Sequence, residues 1–444
     1  MSRVTSANLI ERFGPRGIAA WRWLTSRRRR PPIRDQGPAT PVRRRPSVDF
    51  SLTGLIYCAM MMFMGLAAIN SQANLLFGVF GLMIGILLIS ALICRLVLAG
   101  LRVKRVIPEY VAVGQNATIR YDFFNSKRFW PSLSVGLAEL DGAEAFTQQP
   151  QAYMLHVAAG KSASAPINVV PKRRGLHMLT NFQISTSFPF GFVKRALMGR
   201  SDDAILIYPA LAAVDPRLLS LCRSAERGGA NMKPRRNGAD EFYGVKEFRP
   251  GENPRWIHWK RSARTGELVS KEMVQISPPR LLILVDTFIE SPTLLEHAAV
   301  EKAIAMAASL ASGAMDSGMA VGMTAWGGEW INIAPQRGKQ HCRDILAALA
   351  ALPINRTVAA SRLVEHGEGF LNEAVTPVLF TPRAMQVSLG DSARGGMIVV
   401  PVESEQARTW FRFDPAVDFA RCMPAEQAIG VVASHSSARM KSEK

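Results

Sequence analysis

Residues 240–271 read DEFYGVKEFRPGENPRWIHWKRSARTGELVSK, a density of charge and indole that neither a plain core nor a plain linker needs. Glu241, Glu247, Glu252, Glu267 and Glu272 alternate with Lys246, Arg249, Arg255, Lys260, Arg261, Arg264 and Lys271, so the run is nearly self-neutral and built to pair. Pro250-Gly251 supplies a turn, Asn253 a cap, Pro254 a first helical residue, and Gly266 a left-handed stop after a short helix ending near Arg264. On such a helix Trp256, Trp259 and Lys260 share one face by three and four spacing. Arg and Trp at this density are the composition of an interface centre. Glu241, Arg249, Arg255, Trp256, Trp259, Lys260 and Arg264 are therefore the candidate interaction residues, with clamping of two neighbouring domains as the competing structural role.

The string from Glu241 to Leu268 closely resembles the signature of the bacterial domain-of-unknown-function-58 (DUF58) family. The resemblance extends upstream through Lys172–Gly175 and Phe188–Phe192, and downstream into a strand ending at Asp286. It implies a membrane hairpin, a β-rich domain and a von Willebrand factor A-like domain. It also implies a partner, an AAA+ ATPase of the MoxR type. The family's biochemical activity is largely undefined, so the resemblance speaks to architecture more than to function.

The chain has 444 residues and a formal charge of +19. That length calls for at least two globular units. Much of the positive excess precedes residue 50, in Arg3, Arg12, Arg16, Arg22, Arg27–Arg30, Arg34 and Arg43–Arg45. From Phe50 to Cys94 no side chain is charged, and that run is about twice the ~20 residues a helix needs to cross hydrocarbon. The polar stretch Asn70–Asn74 divides it into two spans, Phe50–Ile69 and Leu75–Cys94. A cleavable signal peptide fits poorly, because the apolar region starts far in, is long, and is followed by a second span. Arg95, Arg102, Lys104 and Arg105 follow the second span and the connecting loop is uncharged, which directs both termini to the cytoplasm of a bacterial inner membrane. The arginine tail is read as binding an anionic lipid surface rather than nucleic acid, because it abuts a span and lacks aromatic interleaving past Trp23. The five cysteines are scattered and odd in number, which agrees with a reducing compartment.

Beyond the spans, the alternating runs Ala117–Phe124, Ser164–Val170 and His177–Ile184, broken by Gly, Pro and Asn, predict a β-sandwich over 102–210. Phe188-Pro189-Phe190-Gly191-Phe192 is either an exposed recognition loop or a packed turn between strands, and packing is favoured. Residues 211–278 are a linker, helical at first from Asp215, leading into the signature. From 279 to 405 the pattern becomes α/β: the apolar run Leu281–Val285, a capping box at Thr293 and Glu296, a helix over His297–Ser312, and further strands at Ala320–Ala325, Trp330–Ile333, Pro377–Phe380 and Met397–Val402, with a helix over Lys339–Leu352. That is a doubly wound sheet similar to a von Willebrand A domain. Residues 406–444 are read as a tail. The fold class is therefore a membrane helical hairpin, a β-sandwich and a doubly wound α/β domain.

In a doubly wound sheet, ligands sit at the carboxyl ends of strands, where Asp286 stands. An intact von Willebrand A metal site reads Asp-x-Ser-x-Ser, whereas this chain has Asp286, Phe288 and Glu290 at those positions. Thr287 and Ser291 lie close by, and Thr324 is a weak downstream match. Asp286 is thus either a degenerate Mg²⁺ ligand or a strand-end cap, and weak or absent metal binding is the expectation. The chain lacks G-x-S-x-G, H-E-x-x-H and C-x-x-C motifs. His258 beside Glu252 is a possible general base, though a lone histidine between tryptophans is more often a packing group. Two functions follow: a membrane-anchored interaction or assembly protein, or a membrane-associated hydrolase using Asp286, Glu290 or His258, with the first favoured and no cofactor required.

Overall fold

The computed structural model describes residues 40–41, 44–108, 110–225, 241–249, 253–274, 279–368, 375–383 and 397–422. The chain divides into two compact units, one of residues 1–209 with 416–444 and one of residues 210–415. Most of the arginine tail, the carboxylate of Glu252 and the tail after residue 422 lie outside the described residues.

The first unit is rooted in two long helices, α1 (Leu52–Ser71) and α2 (Asn74–Leu98), both long and apolar enough to cross a bilayer. A core helix of a soluble protein passes the same test of length and composition but is mostly buried. Here only 11% and 6% of the two apolar windows is buried, and Leu52, Met60, Phe63, Ile69, Leu75, Leu82 and Leu88 are all exposed. The helices are joined by Gln72 and Ala73 alone, with Gln72 in the left-handed conformation, a tighter turn than the polar stretch 70–74 suggests.

Strands flank the hairpin on both sides. β1 (Thr40–Pro41) and β2 (Arg44–Phe50) precede it, and β3 (Leu101–Val106) follows it. Next come β4 (Val111–Ala112), β5 (Ala117–Asn125), β6 (Ser132–Glu139), β7 (Gln151–Val157), β8 (Ser162–Val169), β9 (Gly175–Thr186) and β10 (Val193–Tyr208). They form two sheets, in order β1-β3-β5-β8 and β2-β10-β9-β6-β7, with β4 parallel to the end of β10 and the other neighbours antiparallel. Inward residues alternate along the strands; Ile119, Tyr121 and Phe123 of β5 are fully buried, as are Val135 and Leu137 of β6. This part of the sequence reading agrees with the structure, but its amino-terminal boundary does not. Residues 44–49, read as tail, pair with β10 from Lys194 to Met198, so the basic run is in part a sheet strand.

The sheets face each other across a polar cluster. Arg105 of β3, 4% exposed, places Nε and Nη2 on the two oxygens of Glu139 at 2.9 and 2.8 Å, and Nη1 on Asp203 at 2.7 Å and the Leu179 carbonyl at 2.8 Å. Tyr121 donates its hydroxyl to Glu139 at 2.8 Å. All three nitrogens of the guanidinium fork thus donate to acceptors, among them both oxygens of the buried Glu139 carboxylate.

The hairpin is bolted to the sandwich at its base. Tyr57 stacks on Phe192 with ring centroids 4.2 Å apart, the Cys94 thiol donates to the Phe188 carbonyl at 3.0 Å, and Ser51 donates to the Gly191 and Phe192 carbonyls. The Phe188–Phe192 turn is therefore packing, as favoured from sequence, although Phe190 remains half exposed. Gly54 is required there. A Cβ on it would lie 2.1 Å from the Phe192 carbonyl oxygen, a backbone atom that cannot swing away. Gly54→Ala is expected to cost about 1–3 kcal/mol, seen as a lower midpoint in thermal unfolding of the detergent-solubilised chain.

The second unit holds a five-stranded sheet of β14 (Arg280–Val285), β15 (Ala320–Trp326), β16 (Trp330–Gln336), β17 (Thr376–Thr381) and β18 (Ile398–Pro401), in order β16-β15-β14-β17-β18. All neighbours are parallel except the edge strand β16. Helix α5 (Leu294–Asp316) follows β14, starting three residues earlier than the pattern suggests because Thr293 caps it, while α6 (Lys339–Ala351) and α7 (Ala360–Glu368) lead to β17. From β14 the chain passes to β15 and β16 on one side and later returns to β17 and β18 on the other, so the strand order reverses at β14.

The two flanks of this unit differ from the sequence reading. Helix α3 (Pro216–Ala225), placed in the linker, buries Leu218 and Cys222, and the Cys222 carbonyl accepts from Thr376 of β17. Residues 406–422, read as tail, contain ordered structure. A helix at Glu405–Trp410 leads into a short strand, Phe411–Arg412, that pairs with β11 (Ala213–Val214), and Phe411 packs edge-on against Phe380. Further on, the Cys422 carbonyl accepts from Arg174 N at 3.2 Å.

Candidate functional site

Two places in the second unit carry the residues singled out from sequence: the signature segment and the crevice at the carboxyl end of β14.

The signature folds as an antiparallel ribbon, β12 (Glu241–Glu247) against β13 (Val269–Val274), with the residues between them folded back as a cap. The single helix expected over 254–264 is instead two pieces. Asn253 caps a 3-10 turn at Pro254–Trp256 by accepting from Arg255 N at 3.1 Å. The chain then breaks at Ile257, which bridges Ser270 of β13 and buries its side chain. His258 restarts the helix, its Nδ1 accepting from Arg261 N, and the second piece, α4 (Trp259–Thr265), runs on until Gly266 ends it at φ +76°. Ser262 locks it down by accepting from Val269 N at 2.9 Å.

This break separates the residues expected on one face. Trp256 is half-buried on the 3-10 turn, whereas Trp259 is 66% exposed and Lys260 is exposed beside it. Leu268 adds a second exposed apolar side chain on the same ribbon. Arg249, Arg255 and Arg264 are exposed. Among the described residues no ion pair joins them to an acidic side chain, so the internal pairing expected of the run is not seen there; the carboxylates of Glu241, Glu252 and Glu272 lie outside the description. His258 serves as a helix cap.

In the crevice, Asp286 is 5% exposed. It accepts from Phe288 N at 3.0 Å and from the Thr381 hydroxyl at 3.2 Å, and burial pushes its pKa from the ordinary 3.8 up to about 6, against the opposing pull of Arg383. The two hydroxyls near it are already committed. Thr287 accepts from Asn355 Nδ2 at 2.8 Å, and Ser291 donates to Glu296 at 2.9 Å. Glu296 also receives Glu290 N and Ser291 N, and Arg383 pairs with both Glu296 and Glu290. A guanidinium thus already stands against the carboxylates that would face a cation. Among the described residues no cluster of three or more His, Cys, Asp or Glu could hold a metal ion. The donor set does not fit a divalent cation. Asp286 acts as an Asx cap on the turn after β14.

Sequence reasoning missed Thr381 and Arg383. A signal was present: Thr381-Pro382-Arg383 follows an apolar strand just as Asp286 follows Leu281–Val285, and in the sheet Val285 stands opposite Phe380, which sets the following residues side by side.

Comparison with known proteins gives a family match in this part of the chain. The family described as "Protein of unknown function DUF58" matches residues 244–368, from the signature ribbon through α7. A curated relative, the uncharacterized protein YeaD of Bacillus subtilis (strain 168), is 26% identical over 179 residues, 40% of this chain and 42% of its own length. The match therefore spans less than half of that relative. Among solved structures, the sporulation control protein Spo0M of Bacillus subtilis aligns at 10% identity and a TM-score of 0.15, covering 30% of this chain and 56% of its own. An exo-β-N-acetylglucosaminidase from Vibrio harveyi aligns at 8% identity and a TM-score of 0.16, covering 46% and 45%. Scores that low carry no argument about fold. A DUF58-family domain is thus present over residues 244–368 of the chain.

Proposed function

We propose that the chain is a membrane-anchored interaction or assembly protein, whose sandwich and α/β domain face the cytoplasm of a bacterial inner membrane and whose signature ribbon docks another protein. The observation that carries this reading is Trp259. A large indole, 66% exposed on a short helix that is itself capped at both ends and bonded to β13, is held ready without being used inside the unit. The anchoring rests on the exposed apolar surface of α1 and α2 and on the sandwich strands at both ends of the hairpin, which require those ends to share one side of a bilayer. The arginine-rich flanks favour the cytoplasmic side. Strand order, with one antiparallel edge strand beside a reversal point, supports a von Willebrand A-like reading of the sheet. Resemblance to the family makes a MoxR-type AAA+ ATPase the first partner to test.

Affinity purification of the full-length protein from membranes tests this. The wild type should bring down the ATPase, while Trp259→Ala and Lys260→Glu should lose it and still remain in the membrane fraction. Truncating an interface tryptophan typically costs at least about 2 kcal/mol, or roughly thirtyfold in affinity. Full retention of the partner by both variants would remove the ribbon from the interaction surface.

A further inference from the structure

The loop between β5 and β6, Ser126–Pro131, carries a feature that the docking role leaves unused. Phe129 is 83% exposed and Trp130 46% exposed, side by side, with the Arg128 guanidinium 5.3 Å from the Phe129 ring. Exposed aromatics on a loose loop would mean little, but this loop is fixed from behind. Asn125, 3% exposed, donates to the Trp130 and Val157 carbonyls at 3.0 and 3.1 Å and accepts from Lys127 N at 3.1 Å.

Its position is fixed as well. Lys127 Nζ donates to the Leu96 and Val97 carbonyls at 2.8 and 2.7 Å, and Ser132 donates to the Val97 carbonyl at 2.7 Å, so the loop sits level with the last turn of α2. A helix of 25 residues is about 37 Å long against roughly 30 Å of hydrocarbon, which puts that last turn among the headgroups when α2 spans. Tryptophan and its aromatic neighbours prefer that layer. The surrounding charge has one sign. Arg95, Arg102 and Lys161 are exposed on the adjoining segments, Lys161 through its carbonyl bond to Asn125 N, and residues 95–106, 125–132 and 157–163 contain no acidic residue.

We infer that residues 127–130 form an interfacial anchor, in which Phe129 and Trp130 seat in the headgroup layer of the leaflet that the hairpin enters and Arg128 meets anionic lipid phosphate. The inference rests on the bilayer reading of α1 and α2. Its effect is to hold the sandwich against the membrane surface at a fixed tilt, because the anchor and the hairpin are separate points of attachment.

Site-directed spin labelling of the full-length protein in phosphatidylcholine–phosphatidylglycerol nanodiscs tests it, in a Cys58→Ala, Cys342→Ser background that removes the two partly exposed thiols. Nitroxides are attached at Phe63→Cys in the middle of α1, at Phe129→Cys, and at Thr118→Cys near the opposite end of β5, all on exposed positions. Relative accessibility to oxygen and to a water-soluble nickel chelate gives the depth of each. The expected result is a membrane depth at 63, a shallower but positive depth at 129 that moves toward water when Arg128→Glu is added, and an aqueous value at 118. A label at 129 as aqueous as the one at 118, with 63 still buried, would overturn the anchor and leave the hairpin standing. An aqueous value at 63 would overturn the bilayer reading and the anchor with it.

Discussion

Replacing Arg105 with methionine should destabilise the sandwich by about 3–5 kcal/mol, because it leaves the fully buried Glu139 without its countercharge. Methionine fills much of the volume but supplies none of the four bonds from the guanidinium to Glu139, Asp203 and the Leu179 carbonyl. Tyr121 alone would remain as a donor to Glu139. The second substitution Glu139→Gln removes the stranded charge and keeps an acceptor for Tyr121, so the double variant should recover a large part of the loss. Urea unfolding of the solubilised chain, followed by near-ultraviolet circular dichroism, reads both effects. An exposed pair such as Arg200–Asp202 is the comparison, since its loss should cost no more than about 1 kcal/mol. If Arg105→Met is as mild as the exposed pair, the cluster does not hold the two sheets together.

The second large effect runs in the opposite direction. Asp286→Asn should stabilise the second unit at pH 8 and have little effect near pH 4. The sign follows from proton binding. The folded pKa of Asp286 is raised to about 6 from an ordinary 3.8, so the folded state binds the proton more tightly than the unfolded state. Stability is then greatest where both states are protonated, falls as pH rises from 3.8 to about 6, and is flat above; two pKa units correspond to about 3 kcal/mol at most. Asparagine can still accept from Phe288 N and donate to the Thr381 hydroxyl, so it keeps the geometry without the buried charge. Thermal midpoints of both proteins across that pH range, with and without millimolar Mg²⁺, decide the matter. A wild type that gains strongly from Mg²⁺, and loses that gain in the variant, would restore Asp286 as a metal ligand.

What could be read from the sequence was whatever depends on neighbours along the chain. The charge-free run from Phe50 to Cys94 declares two long apolar helices, the unbroken Leu281–Val285 declares a buried parallel strand, and Thr293 starts its helix and Gly266 stops its own as their types require. What could not be read depends on distant partners. Ile257 leaves the helical path because Ser270 is waiting for it, and nothing in the local pattern says so. Thr381 meets Asp286 across 95 residues. The strand at 44–50 was hidden because its arginines look like a solvated tail, and only pairing with β10 makes it a strand. At the end of β14 the sequence pointed to Asp286, but the guanidinium of Arg383 that stands against Glu290 and Glu296 follows a separate strand, and only the pairing of β14 with β17 sets the two strand ends side by side.

The strands on either side of the hairpin also bear on how the chain is made. β1 and β2 emerge from the ribosome before α1, while β3 and β10, with which they pair, follow α2, and the sandwich needs both sets. If α1 and α2 span a bilayer as proposed, a chain in which only one of them enters leaves β2 and β3 in different compartments, and neither sheet can be completed. Folding of the sandwich is thus a check on insertion. A chain threaded with the wrong number of crossings exposes half-built sheets to the cell's proteases, and only a correctly threaded one closes.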